Sequence, residues 1–208
     1  VVTEAEHHSN IVPWQMMCQR KKAVLKVLPV DEDGRLMVEK LDEILTDRTK
    51  IMAVTHISNV LGLINPVKEI IEKCHGRGVK VLVDGAQGAV HCKVDVQALD
   101  CDFYVFSGHK LYAATGTGVL YGKKQLLEEM PPYMGGGEMV GTVRFTGTTY
   151  APLPMKYEAG TQNFASAATL KPAIEFINSL NDNELIDYND KIRDYLLEEL
   201  TKDERVTL

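Results

Sequence analysis

No apolar run in this chain approaches the roughly 18 to 20 residues needed to cross a bilayer, so the sequence excludes a membrane-spanning protein. The four cysteines, Cys18, Cys74, Cys92 and Cys101, contain no CxxC pair and no regular framework. Neither a zinc site nor a disulfide scaffold is signalled, and a reducing, cytoplasmic compartment is the expectation. His8, His56, His75 and His91 lack metal-ligand spacing among themselves, so they read as structural or surface residues and no metal is expected. Positive charge is in the minority, with 23 Lys and Arg against 29 Asp and Glu for a formal net charge of -6. The one local basic run, Arg20 to Lys22, is too short for a phosphate-binding stripe and reads as a solvated helix end, so no nucleic-acid partner is expected. An initiator methionine and a signal peptide are also missing. A chain that opens on Val1 and stops soon after a helical run is expected to be a piece of a longer protein.

What is present is ordinary globular material: 208 residues, 45% hydrophobic and 25% charged, enough for one substantial core. Apolar, β-branched runs at Ala23 to Val30, Ile51 to Ile57, Val79 to Asp84, Phe103 to Phe106 and Gly118 to Gly122 each read as a buried strand. Helix-period segments lie between them: IVPWQMMCQRK, VEKLDEIL and PVKEIIEKCHGRG, the last with Pro66 near its start and Gly76 and Gly78 past its end. Alternating strands and helices predict an α/β fold, with a mainly parallel central sheet covered by helices on both faces. PPYMGGGEMVGTVRFTGTTYAPLP, residues 131–154, reads as an extended loop or hairpin. Helical periodicity returns from Ala165 to Leu200, with a boundary near Asn181.

Ligands of parallel α/β sheets bind beyond the carboxyl ends of the strands, and here those ends carry chemistry. Ile51 to Ile57 leads to His56, Ser58 and Asn59. Val79 to Asp84 delivers Asp84 and Gln87, and Phe103 to Phe106 delivers Ser107, His109 and Lys110. Lys110 is either a nucleophile or a stray loop lysine, and Asp84 alone could be a helix cap. Together they suit pyridoxal 5'-phosphate (PLP), which needs a carboxylate to keep its ring nitrogen protonated and a lysine to hold it as a Schiff base. Ser107 and His109 are then placed to meet a phosphate.

The stretch VLVDGAQGAVHCKVDVQALDCDFYVFSGHKLY resembles the Suf-type cysteine desulfurases and selenocysteine lyases of the class V aminotransferase group, which are PLP enzymes of fold type I. EAEHHSNIVPW, THISNVLG and EAGTQN match in the same order. The resemblance runs from about Val2 to the region of Leu180. It implies a PLP-binding large domain over 1–180, lacking its amino-terminal part, and the helical start of a truncated small domain over 181–208. It also implies removal of sulfur from L-cysteine to give alanine and an enzyme persulfide for iron–sulfur cluster assembly, with a sulfur-acceptor protein as partner. Selenocysteine lyase or another class V aminotransferase-like activity is the alternative, and a non-catalytic dimeric sulfur-relay scaffold is the alternative of another class.

Residue by residue, the resemblance implies that Lys110 carries the cofactor and Asp84 partners its pyridine nitrogen. Gln87 matches the residue hydrogen-bonded to the phenolic oxygen, and His7 the imidazole stacked on the ring that assists proton transfer. Ser107 and His109 match phosphate ligands, and Asn59 a residue beside the substrate. Thr161 matches a phosphate ligand donated to the other subunit of a homodimer, and Gly135 to Gly137 a segment near that interface. The pattern departs after Tyr112, where Ala113 and Ala114 stand in place of the family's usual YGPTG. None of the four cysteines matches the persulfide cysteine. That residue and the carboxylate-binding arginine belong to a carboxy-terminal region outside this chain, so the chain alone is expected to lack turnover.

Overall fold

The computed structural model describes residues 1–180 and 182–206. The chain starts with β1 (Val2–Thr3), followed by a turn and α1 (Val12–Lys21). Pro13 sits in the first turn of α1, where its missing N–H costs nothing. Arg20 and Lys21 occupy the last turn, next to carbonyls that favour positive charge. The basic run is therefore a helix end.

The expected strand over Ala23 to Val30 is much shorter: β2 (Val27–Leu28) pairs in parallel with β1 over two residues. Pro29 supplies no N–H to extend that ladder. Next come α2 (Leu41–Ile44), β3 (Ile51–Thr55), α3 (Val67–His75) and β4 (Lys80–Asp84). α4 (Gly88–His91) and α5 (Val96–Leu99) then lead to β5 (Phe103–Ser107) and β6 (Gly118–Gly122). These four strands form one sheet in the order β3-β4-β5-β6, parallel except for β6. β6 was expected to be buried, yet it is an antiparallel edge strand with Gly118 and Leu120 exposed.

One sheet face carries the core. Met52 and Val54 pair in register with Val81 and Val83, and Tyr104 stands opposite Val83. All five join a buried cluster with Val67, Ile70, Ile71 and Cys74 of α3. The spacing 67, 70, 71, 74 is one helix stripe, so α3 seals that face. The other face is less covered by this chain, and Leu82 and Val105 stay half-buried. At the amino ends of the strands, Asp102 is 1% exposed. One of its oxygens accepts from His75 Nε2 and from Val81 N, both at 2.8 Å.

The remaining elements are α6 (Lys124–Glu129), a hairpin of β7 (Val140–Arg144) and β8 (Gly147–Tyr150), α7 (Phe164–Ala168), α8 (Leu170–Ser179) and α9 (Asp182–Thr201). The glycine-rich segment thus forms a hairpin, as its composition predicts. The expected boundary at Asn181 lies outside the described residues. Among the described residues no helix is long and apolar enough to cross a membrane.

The cysteines differ in access. Cys74 and Cys101 have no exposed surface, and burial pushes both thiols up to about 11. Cys18 and Cys92 are half-buried. Because the thiolate is the nucleophile, alkylation of the native protein at pH 8 is expected to mark Cys18 and Cys92, and to reach Cys74 and Cys101 only after unfolding. Peptide mapping with and without denaturant checks this, and native labelling of Cys74 would contradict the packing.

Candidate active site

Backbone pairing brings three strand ends to one level. Thr55 is in register with Asp84, and Asp84 with Val105. Past those pairs, His56 N donates to Asp84 O at 2.8 Å and Gly85 N donates to Val105 O at 2.8 Å. The residues that follow β3, β4 and β5 therefore emerge side by side.

Asp84 is 7% exposed. Its Oδ1 accepts from Ala86 N at 2.9 Å, which turns the chain toward α4. Among the described residues no cation reaches this carboxylate. A buried carboxylate is costly without a positive partner, so Asp84 is suited to a cationic group from outside the chain. Gln87 directly precedes α4 and is half-buried, its amide free of hydrogen bonds among the described residues.

Ser107 ends β5 and opens a single 3-10 turn, Gly108–Leu111, that contains His109 and Lys110. The turn packs against α4, β6 and α8. Gly108 N donates to Thr117 O at 2.9 Å, and a Cβ on Gly108 would lie 2.6 Å from Thr117 Cγ2, so the turn needs glycine there. Tyr112 closes it in the left-handed region, at φ 63°, a conformation that stores strain in a non-glycine residue. Lys110 is half-buried, and among the described residues its amine has neither an anionic partner nor a hydrogen bond. His109 is exposed. Ala114, where the family pattern has changed, donates its N–H to Thr169 Oγ1 at 2.8 Å, so the departure leaves no orphaned donor.

His7 approaches from the amino-terminal turn, which packs against β3. Its Nδ1 lies 2.8 Å from Ser9 Oγ and accepts from Ser9 N at 3.2 Å. A backbone N–H can only donate, so the neutral ring carries its proton on Nε2. Asn59 is exposed on a turn shaped by Ser58, whose Oγ accepts from Val60 N and Leu61 N. Thr161 is exposed in a separate loop, makes no hydrogen bond among the described residues, and directly follows Gly160, whose N donates to Gly137 O at 3.0 Å. Asp84, Gln87, Ser107, His109 and Lys110 are thus gathered on adjoining strand ends, whereas Thr161 lies outside that group.

Three further residues support the site. Glu6, next to His7, is 8% exposed and accepts three hydrogen bonds, from Thr3 Oγ1, Asn10 Nδ2 and Thr55 N. Burial pushes its carboxyl up, and those hydrogen bonds oppose the rise. His56 Nδ1 is 3.0 Å from Tyr104 Oη. Burial lowers the His56 imidazole below its usual value and raises the Tyr104 phenol well above its own, so both are neutral near pH 7. A nearby acid before a histidine pair was the sequence signal for Glu6, but acids are ordinarily solvated and one of its three donors, Thr55 N, lies 49 positions away.

The family profile described as "Aminotransferase class-V" matches residues 1–208. The chain belongs to the class-V aminotransferase family. A cysteine desulfurase from Enterobacter sp. (strain 638) is 53% identical over 209 residues, which is 100% of this chain and 52% of that protein. The crystal structure of the cysteine desulfurase CsdA from Escherichia coli superposes with a TM-score of 0.85 at 48% identity, covering 88% of this chain and 46% of that one. The apo cysteine desulfurase from Thermococcus onnurineus NA1 superposes with a TM-score of 0.87 at 32% identity, covering 97% of this chain and 50% of its own. The architecture is thus that of the PLP fold-type I enzymes, and the class-V chain spans about half the length of the curated relatives it matches.

Proposed function

We propose that this class-V chain is the cofactor-holding part of a PLP-dependent cysteine desulfurase. The observation that carries the reading is the pairing of Asp84, a buried carboxylate without a cation, with Lys110, a half-buried amine without an anion, on neighbouring strand ends. That donor set fits PLP, whose ring nitrogen is cationic when protonated and whose aldehyde takes a lysine amine. When bound, PLP supplies an electron sink for charge that develops at the substrate α-carbon.

The chain's own residues do the rest. Lys110 anchors the cofactor and moves the proton at the substrate α-carbon, and Asp84 keeps the ring nitrogen protonated. Gln87 would donate to the phenolic oxygen, Ser107 and His109 would hold the phosphate, and Asn59 would border the substrate. His7 would lie against the cofactor ring and present Nε2–H for proton transfer. In the net reaction the C–S bond of L-cysteine breaks, sulfur joins a protein thiol as a persulfide, and alanine is left. The thiol belongs to the carboxy-terminal part of the whole protein, and the persulfide passes to an acceptor protein for iron–sulfur cluster assembly in a reducing cytoplasm.

We assign residues 1–180 to the PLP-binding large domain and 181–208 to the start of the small domain. The whole protein acts as a homodimer in which Thr161 completes the neighbouring site. Phe145 at the hairpin tip is fully exposed and Tyr133 is 89% exposed, apolar surface that a second copy would cover.

The test is to add PLP to the full-length protein, reduce with borohydride and map the labelled peptide. Label on Lys110 is the expected result, and alanine formation from cysteine and from selenocysteine is then assayed side by side to settle the substrate. A folded protein without label would sink the enzyme reading in favour of a scaffold.

A further inference from the structure

We propose that Glu6 is a positioning residue that fixes His7 relative to Asp84. The proposal rests on the PLP reading of the site. His7 is exposed, so packing does not hold its ring. Among the described residues its ring bonds only to Ser9, two residues on, and its carbonyl accepts from Asn10 N at 2.8 Å. Glu6 is the adjoining residue and is anchored in depth. Oε1 accepts from Thr3 Oγ1 at 2.6 Å and from Thr55 N at 2.9 Å, while Oε2 accepts from Asn10 Nδ2 at 2.7 Å.

Those three donors come from β1, from the 3-10 turn that His7 caps, and from the last residue of β3. Asn10 Oδ1 extends the chain of bonds to Trp14 Nε1 in α1, at 3.0 Å. Thr55 is the register partner of Asp84. One carboxylate therefore ties the His7 turn to the strand beside the one that delivers Asp84, by a path of two steps.

No substitute reproduces this set. A glutamine offers one acceptor and one donor, so its NH2 group would face the Asn10 NH2 group. Flipping Asn10 would then set its NH2 against the Trp14 N–H. An aspartate is a methylene shorter and cannot span all three donors. A half-satisfied buried network is costly, and here the cost falls on the backbone that carries His7.

The experiment uses the full-length protein as wild type, Glu6→Gln, His7→Ala and the double variant, with Thr3→Val as a milder loss of one donor should Glu6→Gln fail to fold. In the cofactor-free protein, amide exchange over residues 7–11 is expected to rise about tenfold or more in Glu6→Gln, with exchange in β4 unchanged. In the PLP-loaded protein, kcat for alanine formation is expected to fall about tenfold with KM nearly unchanged, while borohydride still labels Lys110. In the His7→Ala background, Glu6→Gln is expected to change kcat less than twofold, since a residue that acts through His7 has nothing left to position. Multiplicative losses in the double variant, or unchanged exchange in the single one, would overturn the proposal. An unlabelled wild-type protein would instead defeat the PLP reading, and the cofactor-free exchange measurement would still decide whether Glu6 orders the His7 turn.

Discussion

Lys110→Ala in the full-length protein is expected to lower cysteine turnover by about a thousandfold or more and to abolish borohydride labelling. Proton transfer by a placed base alone is worth about 10²–10⁴, and the same amine is the covalent anchor. Stability of the cofactor-free protein should barely move, within about 0.5 kcal/mol, because the Lys110 amine has no hydrogen bond or ion pair to lose among the described residues. That combination separates chemistry from folding. Lys110→Arg is expected to be as inactive as alanine, since a guanidinium keeps its proton at any working pH. A small primary amine added to the alanine variant should restore part of the turnover. Turnover within tenfold of wild type in Lys110→Ala would remove the lysine from its assigned role.

The strand ends were legible because each apolar run stops at a residue that a core cannot absorb. Ile51 to Ile57, Val79 to Asp84 and Phe103 to Phe106 lie within two residues of β3, β4 and β5 at their carboxyl ends, and Asp84, Ser107 and Lys110 follow from those ends. Ala23 to Val30 misled because apolar content does not reveal the partner. β1 offers only two residues to pair with, and Pro29 closes the ladder. Gly118 to Gly122 carries the same ambiguity, for an edge strand and a central one share a composition. Glu6 and the His56–Tyr104 pair were hidden for another reason. Their roles rest on contacts separated by 49 and 48 positions, and a single sequence carries no sign of such separations until the backbone is folded.

Gly85→Ala is expected to destabilise the protein by about 3 kcal/mol or more and to cost it cofactor uptake. Gly85 is not in the left-handed region, so the requirement is close approach alone. An added Cβ would stand 1.9 Å from Tyr104 Cε1 and 2.1 Å from Tyr104 Cζ. The ring has nowhere to retreat, being 2% exposed with its hydroxyl against His56. Gly88 closes the other side, where a Cβ would lie 2.6 Å from His56 Nδ1 and 2.7 Å from Tyr104 Oη. Overpacking a core usually costs about 1–3 kcal/mol, and overlap with a locked ring belongs at or above the top of that range. The backbone must then give, and it is the segment that links Asp84 to Gln87. Urea unfolding of the cofactor-free protein measures the first effect and equilibrium PLP binding the second. Tyr104→Ala alone should also destabilise, by about 3–5 kcal/mol as for other large-to-small aromatic truncations. Combined with Gly85→Ala it should cost clearly less than the two losses added, because the truncation frees the space that the methyl group needs. Additive losses would mean that Gly85 serves chain flexibility rather than the fit of the Tyr104 ring beneath the site.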